Sequence, residues 1–183
     1  MNKIFFLIVS SILFLLIGSS AYAEQNASGS SASLQSILPT KGEDSRVKIL
    51  ESFLNKYSSP LAAYAKDFID NADFYGLDWK LVASISGVES TFGKHIPYNS
   101  YNGWGWGIYG NNMIYFSSWE QGIETVSKGL RENYLDKWGA TDVYEIGRIY
   151  ATDPNWAAKV DFFIQKITEF QYQNLTNDLS ISL

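Results

Sequence analysis

One carboxylate, Glu89, lies near the end of a stretch of apolar and small residues at positions 82–93. On a helix that turns about 100° per residue, Glu89 falls on the same arc as Val82 and Ile85, so the pattern predicts an acid on an apolar face. Burial would raise the pKa of this carboxyl, which could then keep its proton near neutral pH and donate it to a leaving oxygen. The alternative is a solvated or ion-paired carboxylate at a frayed helix end.

An aromatic segment follows at residues 94–118, where tyrosines and tryptophans alternate with glycines and amides. Gly110, Asn111 and Asn112 separate two runs of period two, which predicts a small β-hairpin. Trp104 and Trp106 have the same parity and would share one face of a strand. Flat rings stack on sugars while amides bond hydroxyl and N-acetyl groups, so the segment favours glycan binding. The alternative is that the rings form a small core of their own.

Helical periodicity before and after this segment predicts the elements that must position it. The sequence predicts one helix from Ser45 to the break before Pro60, a second from Pro60 to Gly76, and a central helix that carries Glu89. Three more helices follow the aromatic segment. The predicted fold is mainly α, with a hairpin lobe beside the Glu89 helix and a cleft between the two parts.

The N-terminal sequence predicts an exported protein. Residues 1–23 contain Lys3, an apolar run shorter than a bilayer span, and an Ala-Tyr-Ala cleavage site, which are typical of a signal peptide. Residues 24–44 have the composition of a linker, 45–174 form the predicted domain, and 175–183 are expected to be a loose tail. We expect a location in the periplasm, the cell envelope or outside the cell, with no stable membrane anchor after removal of the leader.

Charge and residue usage exclude several classes of function. The formal net charge is -5, which argues against nucleic acid as a charge-driven partner. The chain has no cysteine and one histidine, so a thiolate site or a histidine cluster for a metal is not expected. We therefore expect a monomer without a cofactor or a metal. His95 is interpreted as a loop residue and not as a base.

Three motifs in order resemble the glucosaminidase branch of the lysozyme-like superfamily, whose members are endo-β-N-acetylglucosaminidase-like enzymes related to lytic transglycosylases. The motifs are Glu89-Ser90, the Asn-Gly-Trp-Gly-Trp-Gly-Ile run at 102–108, and the Tyr-Ala-Thr-Asp-Pro-Asn-Trp-Ala run at 150–157. The resemblance covers residues 60–167. It implies a lysozyme-like helical fold and cleavage of β-1,4 bonds between N-acetylated amino sugars of peptidoglycan glycan strands.

The resemblance also assigns roles to individual residues. Glu89 matches the general acid, and Tyr150 matches the tyrosine that faces this acid across the groove. Asp153 is interpreted as a helix cap and not as a catalyst. The residues expected to bind the glycan are those beside Glu89 and in the aromatic segment: Ser90, Asn102, Trp104, Trp106, Gly107, Ile108 and Tyr109.

The sequence departs from the family pattern in one respect that bears on mechanism. The aromatic segment contains no Asp or Glu, so a second catalytic carboxylate is missing there; Glu120 and Glu124 are the remaining candidates. If neither glutamate takes part, the substrate itself would supply the group that attacks the anomeric carbon. Attack by its 2-acetamido group would lead to hydrolysis. Attack by its 6-hydroxyl would give a 1,6-anhydro product, as in a lytic transglycosylase. Two other classes stay open, a non-catalytic module that binds wall glycan and a scaffold that serves a partner.

Overall fold

Six α-helices make up most of the part of the chain that the structure, a computed structural model, describes: residues 44–107 and 114–181, with side chains to Asn174. Their bounds are α1 Ser45–Lys56, α2 Ala65–Tyr75, α3 Leu81–Ser90, α4 Trp119–Gly129, α5 Val143–Tyr150 and α6 Trp156–Ile181. A short 3-10 helix, Ala62–Tyr64, precedes α2, and a π-helix, Leu130–Lys137, continues α4. The described residues belong to a single compact unit. The fold is mainly α, as the sequence predicts.

Helix α3 is the central element of this unit. Every residue from Leu81 to Gly87 is buried, and α6 packs along the helix. Close packing requires small side chains here, because a Cβ atom on Gly87 would lie 2.7 Å from the ring of Phe92. The predicted central, buried helix is therefore confirmed.

The helix boundaries follow ordinary capping rules. Gly76 ends α2 in the left-handed conformation with φ of 62°, as predicted. The Ser118 side chain accepts a hydrogen bond from Gln121 N and caps α4. At α1 the cap is Asp44 and not Ser45, because the Asp44 carboxylate accepts a hydrogen bond from the backbone of Arg46.

The predicted β-hairpin is not supported. No strand occurs in residues 44–107 and 114–181, and the parts of the aromatic segment within them form a loop. Four residues of this loop have a positive φ, which an extended strand cannot accommodate: 55° at Asn99, 46° at Tyr101, 62° at Gly105 and 65° at Gly107. The alternation of aromatic residues with glycines and amides therefore corresponds to repeated turns of the chain and not to a strand. The predicted turn at 110–112 lies outside the described residues, as does the predicted leader.

Helix α6 is longer than the sequence pattern indicates. Its backbone stays helical to Ile181, where we expected a loose tail from residue 175. No helix within the described ranges combines the length and the apolar character needed to cross a membrane.

Candidate active site

The end of α3 places Glu89 at the surface of the core. The helix ends at Ser90, and Thr91, Phe92 and Gly93 all have positive φ, at 54°, 58° and 79°. Phe92 is fully buried, and its carbonyl accepts a 2.7 Å hydrogen bond from Ser59 Oγ. The chain therefore turns sharply directly after Glu89, and the turn is fixed by the core.

Helix α6 supplies Trp156, which bonds to Glu89, and Lys159, whose positive charge acts on the Glu89 carboxyl. Trp156 is buried and its indole Nε1 donates a 2.6 Å hydrogen bond to Glu89 Oε1. One turn further along, Lys159 forms a 2.6 Å ion pair with Asp153 Oδ2. The other oxygen of Asp153 accepts a 2.9 Å bond from Asn155 N, so this residue stabilises the start of α6, which agrees with its predicted capping role.

The environment of Glu89 raises its pKa above the ordinary value for a glutamate. Desolvation by the surrounding protein is the largest cause, while the Trp156 hydrogen bond and the charge of Lys159 act in the opposite direction. The residue as a whole is exposed, in contrast to the burial that the sequence pattern predicts. Protein atoms remove part of the hydration of the Glu89 carboxyl, which raises its pKa, while another part of the side chain still faces solvent. Glu89 therefore keeps its proton at higher pH than an ordinary surface carboxyl.

The second oxygen of Glu89 lies beside Gly105. A Cβ atom at this position would be 3.0 Å from Glu89 Oε2, and φ of 62° is a conformation that residues with side chains rarely adopt. Glycine therefore leaves room next to Oε2. Among the described residues no hydrogen-bond donor contacts this oxygen, so a substrate atom could approach it.

Tyr150 lies close to Glu89 but does not bond to it. Its hydroxyl donates a 2.6 Å hydrogen bond to the Trp104 carbonyl, and its ring stacks on Trp156 at 4.6 Å. Desolvation and the charge of Glu89 raise the pKa of this phenol well above its usual value, so the hydroxyl stays protonated. The structure thus brings Tyr150 to the site as a support for Trp156 and for the backbone before Gly105.

Two of the residues predicted to bind glycan are buried in structural roles. Ser90 Oγ donates a 2.7 Å bond to Gly103 O and accepts one of 2.8 Å from Gly93 N. The Asn102 side chain donates to the carbonyls of Trp106 and Ile114 at 2.8 and 3.0 Å. Because these polar groups are already bonded within the protein, direct contact with a glycan does not fit the structure.

Trp104 is a core residue, contrary to its predicted place on the groove. Its side chain is 0% exposed, packs against Phe68 and Trp119, and donates a 2.9 Å bond from Nε1 to Val82 O. The prediction assumed a strand in which Trp104 and Trp106 point the same way. In the observed loop they do not share a face.

Trp106 is half-buried and joins an aromatic cluster with Tyr134 and Tyr150, at ring distances of 6.0 and 5.9 Å. A Cβ atom on Gly129 would lie 2.2 Å from the Trp106 ring, so a glycine is needed at the end of α4. Gly107 similarly lies against Ile114. The predicted glycan contacts at Ile108 and Tyr109 lie outside the described residues.

Glu120 and Glu124 are both exposed on α4. A hydrogen bond with the Ser118 side chain lowers the pKa of Glu120. Burial is the largest cause of the raised pKa of Asp67 and of Tyr64, and the charge of Glu120 adds to it. Neither glutamate affects the pKa of Glu89, for which Lys159 is the only charged group with an effect among the described residues. Within those residues, neither glutamate therefore influences the protonation of Glu89.

The sequence patterns did not predict that Trp156, Lys159 and Gly105 surround or influence Glu89. The first two lie three residues apart on a helix and so share a face, but only Trp156 belongs to the motif at 150–157, since Lys159 follows it. Gly105 could not be distinguished from its neighbouring glycines, since its contact with Glu89 depends on the fold of the loop.

No group of three or more His, Cys, Asp or Glu side chains that could hold a metal ion occurs within residues 44–107 and 114–174. Comparison with models of known protein families finds no match, and comparison with curated proteins finds none either.

Proposed function

We propose that this protein is an exported enzyme that cleaves β-1,4 bonds between N-acetylated amino sugars in peptidoglycan, with Glu89 as the general acid. The observation that carries the proposal is the asymmetry of the Glu89 carboxyl. Trp156 holds Oε1, while Oε2 lies beside Gly105 with room for a substrate oxygen. The raised pKa of Glu89 suits a group that must arrive protonated.

The mechanism begins with proton transfer from Glu89 to the glycosidic oxygen. The bond from this oxygen to the anomeric carbon then breaks, and positive charge develops on the sugar ring. The aromatic segment at 94–118 contains no Asp or Glu, and neither Glu120 nor Glu124 affects the pKa of Glu89, which supports a mechanism in which the substrate supplies the attacking group. If the 2-acetamido oxygen attacks the anomeric carbon, a cyclic oxazolinium forms, and water then opens it while the Glu89 carboxylate accepts the proton of that water. If the 6-hydroxyl attacks, the Glu89 carboxylate accepts the hydroxyl proton and the 1,6-anhydro ring closes without water.

The order of the helices and the position of Glu89 at the end of a central, buried helix support a lysozyme-like fold as part of this proposal. The resemblance of the motifs at 89–90, 102–108 and 150–157 supports the choice of substrate. Attack by the 2-acetamido group would make the enzyme a glucosaminidase, whereas attack by the 6-hydroxyl would make it a lytic transglycosylase.

Glycan release from purified peptidoglycan by the full chain tests the proposal. Glu89→Gln conserves volume and should fold normally but lose about 10²–10⁴-fold in rate, the usual contribution of a general acid. Glu120→Gln and Glu124→Gln should each keep most of the activity. Wild-type rates in the Glu89→Gln variant, or binding to peptidoglycan without any release of glycan, would refute the enzyme; the second result would favour a wall-binding module.

Mass spectrometry of the products identifies the attacking group. Ends of 1,6-anhydromuramic acid would assign the 6-hydroxyl and hence a transglycosylase. Reducing N-acetylglucosamine ends with retained configuration would assign the acetamido group. Inverted configuration would contradict both routes, because inversion requires a water placed by a second carboxylate, and Glu120 would be the first residue to test.

A further inference from the structure

A cavity of about 340 Å³ is lined by residues that neighbour the candidate acid, although Glu89 itself does not line it. It is bordered by the loop at Gly105, by the π-helix Leu130–Lys137 with the Trp138 that follows it, and by the end of α5. Gly105 also lies against Glu89 Oε2, and Tyr150 lines the cavity while its pKa responds to the charge of Glu89. A sugar in the cavity would therefore contact Gly105 and Tyr150, two residues that also neighbour Glu89.

The π-helix explains how the wall of this cavity is built. The bond from Trp138 N to Asn133 O, at 3.0 Å, spans five residues instead of the four of an α-helix. In an α-helix, residues five apart would point about 140° away from each other. The wider π turn brings Asn133 and Trp138 to the same side, and both line the cavity.

The side chains of the wall suit a sugar. Trp138 is 48% exposed, and an edge contact with Tyr134 at 4.9 Å and 83° fixes the direction of its ring. An indole face of this kind stacks on the apolar face of a pyranose. The Asn133 amide offers donors and an acceptor that match a hydroxyl or an acetamido group.

The uncharged lining of the cavity limits the kind of sugar that fits. None of the residues that line the cavity carries a charge. The ammonium group of Lys137 lies 5.8 Å from the Trp138 ring, but Lys137 is not part of the lining. Burial of a carboxylate against uncharged groups is costly unless it is paired, so the cavity disfavours a sugar that bears an acid or a peptide.

We propose that this cavity is a binding subsite for one uncharged N-acetylhexosamine unit, with the ring of the sugar on Trp138 and its acetamido group at Asn133. In peptidoglycan this selects the N-acetylglucosamine units and excludes the muramyl units, whose lactyl group ends in a carboxyl or a peptide. That the ligand is a sugar rests on the proposed function, whereas the preference for an uncharged ligand rests on the cavity itself.

Calorimetric binding of chitotetraose, an uncharged oligomer of N-acetylglucosamine, tests the subsite in a Glu89→Gln background that prevents turnover. Trp138→Ala should weaken binding about tenfold or more, and Asn133→Ala about 3- to 10-fold. Trp138→Phe keeps a stacking ring and should restore part of the loss. Phe74→Ala is the matched control, because this aromatic ring on α2 is 81% exposed and does not line the cavity.

Three results would overturn the subsite: no binding of chitotetraose to the parent, unchanged affinity in both alanine variants that fold, or equal dependence on Trp138 for a muramyl oligomer with free carboxyls. Circular dichroism melting curves verify folding, and Asn133→Ala keeps the test decisive if Trp138→Ala unfolds. Glycan release is measured separately. Release by the wild type with an unchanged KM in Trp138→Ala refutes only the subsite, whereas specific binding without release refutes only the enzyme.

Discussion

Trp156 fixes one oxygen of Glu89 while leaving the other accessible. The indole Nε1 donates to Oε1 at 2.6 Å, and stacking on Tyr150 at 4.6 Å with an interplanar angle of 21° holds the indole in place. A hydrogen bond from a neutral donor stabilises the ionised carboxylate more than the acid. Trp156 thus orients Glu89 and moderates the rise of its pKa.

Trp156→Phe should keep the stack on Tyr150 and remove the hydrogen bond to Glu89. Loss of a bond that lowers the pKa of Glu89 raises this pKa, so the protonated form persists to higher pH. The alkaline limb of the kcat/KM profile should therefore move to higher pH, while kcat falls because the carboxyl is no longer oriented. The same change at Trp79, whose ring contacts Lys80, is the control and should leave the profile in place. A limb that moves to lower pH would contradict this role.

Lys159→Met should also raise the pKa of Glu89, because it removes the positive charge that lowers it. It also removes the ion-pair partner of Asp153. We expect the alkaline limb of the pH profile to shift upward, with a larger shift at low ionic strength. Lys166→Met is the matched control on the same helix, where Lys166 pairs with Glu169. Equal profiles for the two variants would show that Lys159 does not influence the acid.

Tyr150→Phe removes a hydroxyl that donates to the Trp104 carbonyl at 2.6 Å. The carbonyl loses a partner in a half-buried environment, which should cost about 1–3 kcal/mol in the free energy of unfolding. The peptide between Trp104 and Gly105 should then shift beside Glu89, so activity should fall by more than about tenfold, the sensitivity expected for small errors in position. Activity is measured well below the melting temperature, and full activity there would leave Tyr150 a purely structural residue.

Trp104→Ala should unfold or strongly destabilise the protein, since the side chain is fully buried among Phe68, Phe116 and Trp119. Loss of a large aromatic side chain from a core typically costs about 3–5 kcal/mol. Tyr98→Ala, in the same segment but 87% exposed, should change stability by no more than about 0.5 kcal/mol. Urea denaturation measures both. A stable Trp104→Ala variant with weakened glycan binding would instead support the predicted position of Trp104 in a glycan-binding groove.

The sequence was sufficient to predict the features that depend on local pattern. The arc of small and apolar residues predicted α3 and the acid at its end, and Gly76 predicted the end of α2. The aromatic segment could not be resolved in this way, because alternation of glycines with rings fits both a hairpin and a loop with repeated positive φ. The bond between Trp156 and Glu89 joins residues 67 positions apart, so no local pattern contains it.

The turn after Glu89 has a consequence for amide hydrogen exchange. Helix ends usually fray and exchange quickly, but here Phe92 N bonds Ser86 O at 2.9 Å and His95 N bonds Ser90 O at 3.0 Å. The ring of Phe92 is also locked between Phe53 and Phe163. The last turn of α3 and the aromatic core should therefore open as one cooperative unit, with protection factors equal to those of the core. Heat should then abolish activity and tertiary structure at the same temperature, with no earlier local melting at Glu89.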